Sequence, residues 1–121
     1  MLDTAAKVCI RGGVVKKQFG LVNTTLGVVA TNARFQKREI TKIAQMAQGG
    51  LIKTINPVHT TFDGDLVFAI SKGDKEADIN KVGILSEFML SEAIKRAVKK
   101  ADGFGMIPAF KDIAKGWKTV G

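Results

Sequence analysis

Asn23-Thr24-Thr25-Leu26-Gly27-Val28-Val29-Ala30-Thr31-Asn32 is the stretch on which the reading of this chain turns. Leu26 to Thr31 is a short, Val-rich apolar run bounded by two asparagines, and it predicts a buried strand. Working outward, the turn Asn32-Ala33-Arg34 leads into a helix over Gln36 to Ile55. Its apolar residues Ile40, Ile43, Ala44, Ala47, Leu51 and Ile55 recur at three- and four-residue steps and give one buried stripe. Gly49-Gly50 interrupts that helix, and each glycine costs about 1 kcal/mol against Ala there, so close backbone packing or a kink is expected. Asn56-Pro57 ends it.

Leu66-Val67-Phe68-Ala69-Ile70 is a second buried strand, closed by Ser71-Lys72-Gly73. Asp78 caps a second helix running to Ala101, with Val82, Leu85, Met89, Ala93 and Ala97 as its stripe and Gly103 as its C′ glycine. Before Asn23, Asp3 caps a short turn over Thr4 to Ile10, and Val14-Val15 is a short strand. The tail from Phe104 to Gly121, with Trp117, packs in part against the body. Strand, helix, strand, helix predicts an α/β fold with a parallel sheet. Two strands and two helices leave a sheet face or edge open, so a further sheet partner is expected, from the rest of a protein or from another copy.

The totals narrow the function classes. A chain of 121 residues with 45% hydrophobic content suits one packed domain. No apolar run reaches the roughly 18 residues that span a bilayer, and Met1-Leu2-Asp3 does not begin a secretory signal; a cytoplasmic setting with no membrane partner is expected. With one cysteine and one histidine there is no internal disulfide and no zinc-type ligand cluster. Cys9 reads as a small buried residue. His59 reads as a loop or surface histidine, although it stands close in sequence to Asp63. The formal charge of +8 raises nucleic acid as a partner. The charge is spread along the chain, no arginine-rich arm exists and tyrosine is absent, so a nucleic-acid interface is disfavoured against solvated basic faces.

Thr24 is the candidate for chemistry, although Asn-Thr-Thr by itself is a common tripeptide. An amino-terminal threonine supplies a hydroxyl nucleophile and, in its own α-amine with a pKa of about 7.7–8.0, the base that activates it. Inside a chain the nitrogen is an amide, so the bond Asn23–Thr24 must first be cut, by attack of the hydroxyl on the Asn23 carbonyl and hydrolysis of the resulting ester. Carboxylates beside such a threonine hold the ammonium or relay a proton. Asp63 and Asp65 straddle Gly64 and, two apart on an extended strand, point to one face. The same Asp63-Gly64-Asp65 also reads as a plain turn before a strand, and spacing alone gives that reading more weight.

Three segments carry a family resemblance: residues 23–33, Ile43-Ala44-Gln45-Met46-Ala47, and His59-Thr60-Thr61-Phe62-Asp63-Gly64-Asp65-Leu66-Val67-Phe68-Ala69. In order and interval they resemble the carboxyl-terminal part of the DmpA-type L-aminopeptidase/D-esterase family, over about Leu2 to Ala114. That family also contains β-peptidyl aminopeptidases and nylon-oligomer hydrolases, and the likeness is to the nylon-hydrolase-like branch. The resemblance implies a precursor that cuts itself before Thr24, leaving residues 1–23 on the preceding chain and 24–121 as the small chain, both within a single partial domain. It implies a four-layer αββα sandwich of the amino-terminal-nucleophile-hydrolase-like type. Thr24 falls on the nucleophile position and Asp63 and Asp65 on the supporting acidic positions. Peptide or amide bonds are cleaved through an acyl-enzyme, without metal or other cofactor. Family members are much longer chains, so the partner implied is the amino-terminal portion of the fold. Two other readings stand beside this one: a non-catalytic remnant that folds as a homo-oligomer, and a small basic nucleic-acid binder.

Overall fold

The computed structural model describes residues 24–114. The expectations for Asp3 to Ile10, Cys9, Val14-Val15, Asn23 and Trp117 lie outside the described residues. Within them the chain runs β1 (Leu26–Ala33), α1 (Lys37–Thr54), β2 (Leu66–Lys75), α2 (Ile79–Lys100) and a short α3 (Phe110–Ala114). β1 and β2 pair in parallel from Leu26↔Leu66 to Thr31↔Ser71, with α1 as the crossover between them. An α/β unit with a small parallel sheet is therefore observed.

Local signals set the helix ends. The Gln36 backbone N–H donates to the Glu39 carboxylate at 2.7 Å, one limb of a capping box that opens α1. The Asp78 carboxylate accepts the Lys81 N–H at 2.9 Å and opens α2. α2 ends at Lys100 with Ala101 as its cap, so Gly103 is not the C′ residue. It stands two positions past the cap, where a side chain would strike the backbone of Ile107 and Ala109.

β2 continues to Lys75, beyond the Ser71-Lys72-Gly73 segment expected to close it. The reason is a break in register between Thr31 and Ala33. Gly73 lets β2 run against the Asn32 backbone, where any Cβ would collide. Ser71 Oγ seals the join by donating to Ala33 O at 2.7 Å and accepting the Phe35 N–H at 2.9 Å.

The core lies between the helices and one face of the sheet. Ala47, Leu51, Val67 and Leu90 form it, with Val29, Ile55, Val58 and Ile94 packed around them. Both strands were expected to be buried, with a sheet face or edge left open, and they are buried on one face only. Leu26, Val28, Leu66, Phe68 and Ile70 face outward, 44–66% exposed, so a run with the composition of a doubly covered strand has one layer over it here.

The Gly49-Gly50 expectation resolves as close packing. A Cβ at Gly50 would lie 2.8 Å from Glu87 O and 3.0 Å from Ser91 N, so α1 and α2 meet nearly backbone to backbone. This corrects the stripe of α2. Its buried residues are Gly83, Ser86, Leu90 and Ser91, whereas Leu85 and Met89 are about 60% exposed and Ala93 is exposed as well. Small residues make the close helix contact, and a pattern of large apolar residues does not register them. Leu85 and Met89 line an open groove beside Val29 and Thr31 of β1.

Candidate active site

The site is built where the two strands begin. Leu66 N–H donates to Thr25 O at 3.0 Å and starts the ladder. One residue earlier the Thr25 N–H donates to Asp65 Oδ1 at 2.9 Å, a contact forty positions apart in sequence. Asp65 thus reaches from the mouth of β2 back to β1, and its side chain is 5% exposed. A buried carboxylate requires such partners.

Thr24, exposed, stands immediately before this clamp. Its hydroxyl lies against Gly64: a Cβ on that residue would sit 2.8 Å from Thr24 Oγ1. The glycine between the two aspartates is the residue that leaves the Thr24 hydroxyl its space. The turn reading of Asp63-Gly64-Asp65 had no account of this.

Asp63 and Asp65 precede β2 and do not share one regular strand face. Asp63 Oδ2 accepts both the Thr60 N–H, at 2.8 Å, and the Thr60 hydroxyl, at 2.7 Å. The Thr60 hydroxyl first, and then the Thr60 N–H, hold the Asp63 carboxyl below the usual carboxylate range; the charge of His59 adds to this and burial opposes it. Asp63 therefore closes its own turn, while Asp65 makes the hydrogen bond to the Thr24–Thr25 segment.

His59 lies in the loop before β2 and is exposed, as its sequence reading has it, and it also faces Asp65. Its Nδ1 lies 3.6 Å from Asp65 Oδ2 with the ring 37% exposed, and its backbone has φ +56°. The available signal was its position close before Asp63 and its being the sole histidine of the chain. Among the described residues no group of three or more His, Cys, Asp or Glu is placed to hold a metal ion. Among them, too, no helix is long and apolar enough to cross a membrane.

Thr24, His59, Asp63 and Asp65 all fall inside residues 4–103, which match the model of peptidase family S58. That match covers most of the chain. The chain belongs to peptidase family S58. This is the DmpA family that the motif segments resemble. An uncharacterized aminopeptidase of Mycobacterium leprae is 35% identical, across 79% of this chain and 31% of its own. One of Mycobacterium tuberculosis is 33% identical, across 78% and 32%. A 6-aminohexanoate-oligomer endohydrolase of a Kocuria species is 26% identical, across 64% and 25%. This S58 chain thus spans about a third of the length of the curated relatives it matches. No solved structure gives a significant match.

Proposed function

We propose that this S58 chain is the carboxyl-terminal catalytic segment of a self-processing threonine hydrolase that cleaves peptide or amide bonds. The observation that supports it is the Thr24 hydroxyl lodged against Gly64 beside the clamp of Thr25 N–H on the buried Asp65 carboxylate. Names of relatives, aminopeptidase and oligomer endohydrolase, agree in reaction type.

In the first step Thr24 Oγ1 attacks the Asn23 carbonyl, and the amide nitrogen becomes the Thr24 amine as an ester forms. Water hydrolyses the ester, releasing residues 1–23 from 24–121 and freeing the hydroxyl. In turnover the α-amine takes the hydroxyl proton, Oγ1 attacks the substrate carbonyl, and the amine product leaves with that proton. Water then clears the acyl-threonine. Asp65 holds the nucleophile segment in place, and Asp63 keeps the turn that presents Gly64. The outward face of β1 and β2 takes the second sheet of an αββα sandwich, brought by the amino-terminal portion of the family fold. That portion also completes the oxyanion site and the substrate walls.

The test is intact-mass analysis of the chain produced together with the amino-terminal portion of an S58 protein. A species beginning at Thr24 is expected, and Thr24→Ala remains uncut. Cleavage that persists in Thr24→Ala overturns the reading. One observation favours a second reading: the open apolar sheet face suits a remnant that folds by pairing with copies of itself. That reading predicts one unchanged mass under every condition.

A further inference from the structure

We infer that His59 is a positioning residue whose protonation sets how firmly Asp65 holds the Thr25 backbone, and through it the Thr24 hydroxyl. The step from Asp65 to Thr24 rests on the nucleophile reading; the coupling of His59 to Thr25 does not.

The loop between α1 and β2 fixes where the imidazole can be. On one side Val58 is packed against the core. On the other Thr60 is bound by its N–H and hydroxyl to Asp63. Between these anchors His59 adopts φ +56°, a left-handed conformation uncommon for a residue with a side chain and enriched in Asn, Asp and His. Strain of this kind persists where the surroundings impose it, and it gathers at functional sites. Its result here is to bring Nδ1 to 3.6 Å from Asp65 Oδ2.

Asp65 has two oxygens with different partners. Oδ1 accepts the Thr25 N–H at 2.9 Å, and Oδ2 faces the imidazole. At 3.6 Å the ring is beyond a good hydrogen bond but well inside the range of charge attraction. A protonated His59 gives the buried carboxylate a counter-charge, and a neutral one leaves the Thr25 N–H as its protein partner among the described residues. With the ring 37% exposed, protons exchange with solvent. Two ionisable groups of its own loop face His59, Asp65 and Asp63, the latter feeling the imidazole charge. Among the described residues no ion pair from β1, α1 or α2 reaches it.

NMR on the full isotope-labelled chain tests this, because the sole histidine gives unambiguous imidazole signals. The Thr25 amide and the imidazole are followed together through a pH titration. The Thr25 amide is expected to shift with the midpoint of the imidazole, and His59→Asn, which tolerates the left-handed backbone, is expected to abolish that inflection. A Thr25 amide that stays flat while the imidazole titrates overturns the inference, as does an inflection that survives His59→Asn. The first readout needs no variant. Cleavage persisting in Thr24→Ala would sink the nucleophile reading and leave the Thr25 titration as it is; a flat Thr25 amide would do the reverse.

Discussion

At Gly64 the absence of one carbon atom decides where a hydroxyl can be. An added Cβ would lie 2.8 Å from Thr24 Oγ1 and 3.8 Å from Thr24 Cγ2. The threonine side chain can rotate away from it, so the fold survives the insertion while the hydroxyl does not keep its place. Gly64→Ala is expected to leave stability unchanged or raise it by about 0.4–1 kcal/mol, through the less flexible unfolded chain. It is expected to slow cleavage at Asn23–Thr24 on the order of 100-fold, the penalty for misplacing a reacting atom by an ångström. Thermal unfolding and timed intact-mass spectra separate the two effects. The neighbouring aspartates show how much of this was legible. Their pairing about a glycine was visible in sequence, but their division of labour was not. Asp63 binds Thr60, three residues before it, whereas Asp65 binds Thr25, forty residues before it. A spacing rule sees the first kind of contact and cannot see the second.

The helix pair shows the same limit at the scale of elements. α1 was read within a residue at each end, because its signals are local: the Asn32-Ala33-Arg34 turn before its start and Asn56-Pro57 after its end. The contact face of α2 was misread, because helix-to-helix distance is set by Gly50, Gly83 and Ser91. The two adjacent glycines of α1 therefore have different expectations. At Gly50 the obstacle is backbone, Glu87 O and Ser91 N, so Gly50→Ala should cost about 1–3 kcal/mol by overpacking. At Gly49 the obstacle is the Glu87 side chain, 2.8 Å from the added Cβ at its nearest, and it can swing away. Gly49→Ala gains about 1 kcal/mol of helix propensity. Against this stands the Lys53–Glu87 ion pair, exposed enough on the lysine side to be worth at most about 1 kcal/mol. Its net effect is near zero. Urea midpoints for the two variants, with the slope of unfolding unchanged, check the contrast.

The whole molecule presents two unequal sides. One face of the sheet carries both helices, and the other shows Val28, Phe68 and Ile70 at 50–60% exposure in adjoining rows. An apolar face of this kind marks an interaction surface. For the chain alone the expectation is self-association through it, giving a sedimentation mass above 13.0 kDa. Phe68→Glu should return it to a monomer with a stability change of about 1 kcal/mol or less. An unchanged oligomer would place the contact elsewhere. Adding the amino-terminal portion of an S58 protein should compete with self-association for the same face. What the sequence by itself determined is local or pattern-borne: two strands, two helices and the Asp78 cap, the α/β order, and the motif segments that belong to family S58. Those features follow from hydrogen bonds and periodicities that span a few residues. Only the tertiary structure decided which side of each strand is covered, that small residues seat α2, and that Asp65 reaches Thr25 while His59 faces Asp65. Such contacts form only when the parallel pairing of β1 and β2 brings distant backbone together, and that free energy is carried by the packed core rather than by any one stretch of chain.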